Sequence, residues 1–226
     1  MFTTILGTFG SQDVIPNLLQ SLQRLELADG HFEGVGIVTL QDGCIQHQYT
    51  PGTQLDLQNV LQQQPLSGRL GIAYTRPESA IRSKYQEQTT PAVHFYATEH
   101  MAVACYGTID NFSDIDDSLW ALGYQFKIQT NAELILRMIQ RYLDLDFPPS
   151  EAAVISAARV KGFLIVMVLF AKEELLVATR QRCPIAIGMN DNQCYLGSDT
   201  KVLSQLSSVI TQVEEGLPVV LHPIKK

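Results

Sequence analysis

Met1-Phe2-Thr3-Thr4-Ile5-Leu6-Gly7 opens the chain, and the reading of this stretch decides the fold. Two threonines followed by Ile5 and Leu6 predict a short buried strand. If that strand lies in a central sheet, its free end is held in place by its neighbours, where it can take part in chemistry. A hydroxyl or thiol on residue one of a mature chain can use its own α-amine as general base, because that amine titrates at about pH 8 and lies within reach. Phe2 stands in the way here. Removal of an initiator methionine requires a small second residue, so Met1 is expected to stay and Thr3 to remain an internal threonine.

The rest of the composition bounds the answer. The chain has 226 residues, 46% hydrophobic and 17% charged, which fits one domain over 1–226 with a sizeable core. A net charge of -7, with no cluster of Lys and Arg, argues against nucleic-acid binding. The longest apolar run, 162–171, is about half of what a membrane-spanning helix needs and predicts a buried strand. No secretory signal is read at the N-terminus. Cys44, Cys105, Cys183 and Cys194 form no CxxC pair and have no His at metal-ligand spacing. They are expected to be small buried apolar residues in a reducing, cytoplasmic compartment, with no metal and no cofactor.

Periodicity supplies the elements. Apolar residues Val14, Leu18, Leu19, Leu22 and Leu25 predict a helix over 11–27, with Ser11 or Asp13 at its start. Strands are expected at 33–40 and after the Asp42-Gly43 turn, then a polar helix at 54–64 and a strand at 70–75. A polar loop follows over 78–90, and then a hairpin of 93–96 with 101–107. Helices are expected at 114–122, at 130–142 behind the Thr130-Asn131-Ala132-Glu133 capping box, and at 148–159, with a short strand at 124–128. The last third predicts strands at 162–171, 174–180, 184–188, 193–197, 208–213 and 217–221, with one helix at 200–206. Elements grouped in runs, with no repeating βαβ rhythm, point to α+β and two antiparallel sheets with helices outside.

The order of several short motifs then becomes informative. Ile5-Leu6-Gly7, Gly71-Ile72-Ala73-Tyr74-Thr75-Arg76, Tyr106-Gly107-Thr108-Ile109-Asp110-Asn111, Thr130-Asn131-Ala132-Glu133, Cys183-Pro184-Ile185-Ala186-Ile187-Gly188 and Leu196-Gly197-Ser198-Asp199 follow one another over nearly the whole chain. In that order and spacing the chain resembles the glutaminase domain of the class II glutamine amidotransferases, that of glucosamine-6-phosphate synthase in particular. The resemblance implies a four-layer αββα sandwich of two antiparallel sheets, of the N-terminal-nucleophile hydrolase type. It also implies the family activity, hydrolysis of glutamine to glutamate and ammonia, here without a sugar-isomerase domain.

The same resemblance exposes departures. The family's nucleophilic cysteine aligns with Thr3, with Phe2 as an extra residue before it. The family's Asn-Gly oxyanion pair reads Tyr106-Gly107, and its Thr-Arg-Trp-Ala-Thr-His-Gly run survives only as Thr75-Arg76, continuing Pro77-Glu78-Ser79. The aspartate that meets the glutamine α-ammonium aligns with Asn131, and the Arg-Gly-Tyr-Asp-Ser loop reads Ala28-Asp29-Gly30-His31-Phe32. Each position has a plain structural reading beside the functional one. Thr3 is a strand residue or a degenerate nucleophile, and Arg76 is a carboxylate clamp or a solvated arginine. Gly107 serves backbone geometry or an oxyanion, and Asn131 opens a helix or binds substrate together with Arg76 and Ser79.

Thr3-Thr4-Ile5-Leu6 also resembles the mature start of proteasome-type β subunits, but no lysine precedes Lys84 to activate such a threonine. The five histidines, His31, His47, His94, His100 and His222, share no spacing. Three functions remain in view. The first is a glutaminase-like module without hydrolysis that binds glutamine or another small carboxylate and serves a protein partner. The second is a weakened amidohydrolase working through Arg76, Gly107 and Thr3. The third is a processed threonine hydrolase.

Overall fold

In a computed structural model of the protein the described residues are 5–29, 32–76, 92–190, 193–198 and 200–222. Thr3, Ser79, His31 and the 78–90 loop lie outside them. The first part of the chain forms β1 (Ile5–Gly10), α1 (Ile15–Asp29), β2 (Gly34–Gln41), β3 (Cys44–Pro51), α2 (Gln54–Gln63) and β4 (Leu70–Arg76). The middle forms β5 (Ala92–Ala97), β6 (Met101–Ile109), α3 (Phe112–Ala121), α4 (Asn131–Leu143) and α5 (Pro149–Ala158). The last third forms β7 (Gly162–Phe170), β8 (Leu175–Gln181), β9 (Ala186–Asn190), β10 (Gln193–Gly197), α6 (Thr200–Leu206), β11 (Val209–Gln212) and β12 (Val219–Leu221).

The strands make a 7-stranded sheet in the order β11-β9-β10-β1-β4-β2-β3 and a 5-stranded sheet in the order β12-β8-β7-β6-β5. Neighbours pair antiparallel. β7 shows why its sequence is a continuous apolar run. Leu164, Val166, Val168 and Phe170 pack with residues of α3, α4 and α5, while Ile165, Met167 and Leu169 pack with Ile5, Val38 and Ile72 of the other sheet. Alternate side chains leave opposite faces of a strand, so a strand buried on both faces is apolar at every position. On the far side of the larger sheet, Leu18, Leu22 and Leu25 of α1, Leu57 of α2 and Leu203 of α6 cover Leu6, Val35 and Ile37. Three apolar clusters thus separate four layers, the αββα sandwich that the sequence resemblance implied. No helix among the described residues is long and apolar enough to cross a membrane.

Local chemistry sets the turns. Asp42 and Gly43 both have positive φ, 50° and 71°, the geometry of a type I′ turn, which matches the twist of β2 and β3. A Cβ on Gly43 would meet only the Ala171 carbonyl oxygen, at 3.8 Å. Gly43→Ala therefore carries a conformational penalty alone, expected at about 1 kcal/mol in urea unfolding. A loss several times larger would show that the turn is packed more tightly than this geometry allows. At the start of α1 it is Asp13, not Ser11, whose carboxylate accepts the Ile15 N–H, at 3.2 Å.

One expected element is absent. Residues 124–128 form no strand, because the N–H groups of Lys127, Ile128 and Gln129 all donate to the Glu133 carboxylate, at 2.7, 2.7 and 3.0 Å. Thr130 caps α4 as its sequence suggests, its hydroxyl accepting the Glu133 N–H at 3.2 Å. The Glu133 side chain, which in a capping box would reach back to the Thr130 amide, holds those three upstream amides instead.

Candidate functional site

Ile5, the first described residue of β1, pairs with Tyr74, and β4 runs antiparallel to it. Arg76, the last residue of β4, therefore lies at the sheet end where β1 begins. Its carbonyl accepts the Glu33 N–H at 2.8 Å, which anchors the backbone beneath a half-buried side chain. Among the described residues the ion pairs are Glu133 with Arg137 and Glu215 with Arg180, and neither involves Arg76.

Arg76 lines a cavity of about 260 Å³ together with His47 and Tyr49 of β3, His94 and Phe95 of β5, and the α4 cap Thr130. Tyr74 forms part of the same wall, and its hydroxyl shares a 2.7 Å hydrogen bond with His47 Nε2. Burial lowers the His47 pKa to about 4, and burial with the nearby Arg76 charge does the same for His94. Both imidazoles are neutral at pH 7. Burial also raises the Tyr74 phenol far above its ordinary range, so that group stays protonated. The fixed charge among the described lining residues is therefore Arg76.

Asn131 follows Thr130 as the first residue of α4 and is 1% exposed. Neither its Nδ2 nor its Oδ1 has a hydrogen-bond partner, and His94 Nε2 is also buried and unpartnered. A buried amide left unpaired costs roughly 1–3 kcal/mol of desolvation; of these two residues His94 lines the cavity, while Asn131 is buried next to the lining residue Thr130.

Tyr106 and Gly107 lie one strand further in, on β6, opposite Val93 and Ala92 of β5. The Tyr106 ring turns into the space between the sheets and meets Phe163 edge-on, with centroids 6.1 Å apart at 60°. Burial, followed by the neighbouring Cys183 thiol, raises its pKa. Gly107 has φ 138°, and a Cβ there would sit 2.0 Å from the Phe163 carbonyl oxygen. Cys105 and Cys183 are buried with their thiols raised by burial, whereas Cys44, expected to be buried, is exposed beside the β2–β3 turn and Cys194 is half-buried; no group of three metal-binding side chains occurs among the described residues.

The structure thus brings Arg76 and Thr130 to one cavity, leaves Asn131 buried next to Thr130 and outside the lining, and sets Tyr106-Gly107 beside the β5 wall. His47, Tyr49, Tyr74, His94 and Phe95 had no functional reading in the sequence. They come from three strands whose register is invisible without the fold, and the Gly34-Val35-Gly36 spacing on β2 is the one local hint of rings lying flat over a strand.

Residues 78–205, more than half of the chain, match the model of the glutamine amidotransferase domain family. The chain belongs to that family. It is 32% identical over 213 residues to the isomerizing glutamine–fructose-6-phosphate aminotransferase of Brucella suis biovar 1 (strain 1330), covering 94% of this chain and 34% of that protein. Identity to the same-named protein of Mesorhizobium japonicum is 30% over 213 residues, with the same coverage. This amidotransferase domain accordingly spans about a third of the length of these curated relatives, at 34%. Among solved structures, the glutamine phosphoribosylpyrophosphate amidotransferase of B. subtilis, complexed with ADP and GMP, superposes with TM-score 0.70 at 15% identity, over 97% of this chain and 49% of that one. A glutamine aminotransferase class-II domain protein from Silicibacter pomeroyi does so with TM-score 0.63 at 10% identity, over 97% and 94%. At those identities the superpositions speak for the fold, which is that of the N-terminal-nucleophile sandwich.

Proposed function

We propose that this domain binds a small carboxylate in the Arg76 cavity and does not hydrolyse glutamine, serving as a binding or regulatory module for a protein partner. The observation that carries the reading is Tyr106. At the position where the resemblance expects a side-chain amide to hold the oxyanion, a phenol ring is packed between the sheets against Phe163. One lost oxyanion donor costs roughly 10²–10³ in kcat in acyl transfer. The sequence supports the same reading, with Thr3 where the resemblance expects the nucleophilic cysteine. Arg76 supports retained binding, since a guanidinium with no ion-pair partner among the described residues is suited to a bidentate carboxylate.

Ammonia release from L-glutamine is expected to stay at the buffer rate. Calorimetry with L-glutamate and other small carboxylates is expected to show binding that Arg76→Ala weakens by about ten-fold or more. Robust glutamine hydrolysis abolished by Arg76→Ala would favour the amidohydrolase reading instead. An intact mass lacking Met1-Phe2 would favour the processed threonine hydrolase.

A further inference from the structure

A second cavity, of about 150 Å³, lies in the outer helical layer where α3, α4 and the end of α5 meet. Asp114 and Leu119 of α3, Met138, Arg141 and Tyr142 of α4, and Arg159 after α5 are among the residues that line it. Tyr142, 9% exposed, holds both cations in place. Its hydroxyl accepts a 3.0 Å hydrogen bond from Arg159 Nη1, and its ring lies under Arg141, whose guanidinium carbon is 6.0 Å from the ring centroid. The backbone beside Arg159 is fixed as well. The Asn111 side chain donates to the Arg159 carbonyl at 3.1 Å and accepts the Lys161 N–H at 2.7 Å.

Helix dipoles explain each charge singly, Arg141 in the last turn of α4, Arg159 at the end of α5 and Asp114 in the first turn of α3. They do not explain why all three face one cavity. Among the described residues no ion pair joins Asp114 to either guanidinium. Asp144, three residues after Arg141, is taken by the Tyr124 hydroxyl and the Gln140 side-chain amide, each at 2.6 Å. Unlike charges that share a cavity without touching are each left to water, and a molecule carrying both charges replaces that water on both sides at once. An anion alone would meet the guanidiniums and face the like charge of Asp114 as well. Ile115, Leu119 and Met138 supply an apolar floor. The volume is below the roughly 300–1,000 Å³ of a drug-sized site, so the ligand is small.

We propose that this cavity is a second ligand site for a small zwitterion, an amino acid with a short aliphatic side chain. Its carboxylate lies on Arg141 and Arg159, its ammonium on Asp114, and its side chain over Ile115, Leu119 and Met138. From Thr130, at the Arg76 cavity, to Arg141 is roughly 16 Å along the α4 axis, so the two sites occupy opposite ends of one helix and can be tested apart.

The test is calorimetry on the full chain with L-valine, with isovalerate, which lacks the ammonium of L-valine, and with isobutylamine, which lacks its carboxylate. The wild type and Arg76→Ala are expected to bind L-valine equally, and Arg76→Ala to bind isovalerate and isobutylamine about ten-fold or more weakly than L-valine. Arg141→Met and Asp114→Asn are each expected to weaken L-valine binding about ten-fold or more, with circular dichroism unchanged. Isovalerate or isobutylamine equal to L-valine in Arg76→Ala would overturn the need for both charges. Loss of L-valine binding in Arg76→Ala would move the ligand to the other cavity and overturn the second site. No binding of L-valine at all would overturn it too, while the Arg76 reading, tested with L-glutamate, would stand.

Discussion

Gly107→Ala is expected to lower the unfolding free energy by about 3 kcal/mol or more, a loss reserved for substitutions that force the backbone itself to move. At φ 138° an alanine is strained before any contact is considered. The added Cβ would then lie 2.0 Å from the Phe163 carbonyl oxygen, 2.9 Å from its carbon and 3.0 Å from Leu164 Cα. All three are backbone atoms of β7, the centre of the smaller sheet, so no side-chain rotation relieves the clash. Gly43→Ala, at φ 71° and without the clash, is the reference for a positive φ alone, and the excess loss at Gly107 combines the harsher φ of 138° with the contact. Urea unfolding of both, followed by circular dichroism, decides the matter. If the two midpoints shift equally, the close approach of β6 to β7 at this point is wrong. The comparison also bears on function, because Gly107 then owes its presence to the sheet whether or not an oxyanion was ever held there.

The parts of the fold that the sequence made legible are those with one dominant local cause. Asp42-Gly43 reads as a turn because few residues accept two successive positive φ values. The stretch 162–171 reads as a strand from its unbroken apolarity, although only the structure shows that one face meets helices and the other a second sheet. Residues 124–128 misled because Tyr124, Phe126 and Ile128 alternate with polar residues, the pattern of a strand, while the hydrogen bonds that decide the backbone come from a side chain later in the chain. The site divides in the same way. Arg76 and Asn131 could be picked out because motifs surround them. His47 and His94 could not, since residues that far apart in sequence are joined only by the stacking of sheets, and each looks like an ordinary scattered histidine.

Glu133→Ala is expected to cost about 3–5 kcal/mol, because it strands the amides of Lys127, Ile128 and Gln129 and removes the anion that faces Arg137. Glu133→Gln keeps one acceptor oxygen and should cost less, and its pH dependence is the sharper test. Burial by itself would raise the Glu133 pKa, but the three amide donors and the Tyr96 hydroxyl outweigh it, and the folded value lies below the ordinary 4.5. A depressed folded pKa gives stability that is fully present above the unfolded value and is lost as pH falls through the folded one. The gap between the wild type and Glu133→Gln should therefore be widest near neutral pH and close as the solution is acidified, where a protonated glutamate and a glutamine are nearly alike. A gap that stays constant down to about pH 3 would mean that charge is not what holds residues 127–129. Those residues lead directly into Thr130 and Asn131, so the same carboxylate that organises the loop also fixes the rim of the Arg76 cavity. In Glu133→Gln, L-glutamate affinity should fall along with stability at neutral pH, because Thr130 at the α4 terminus is held by the bonds that have been weakened.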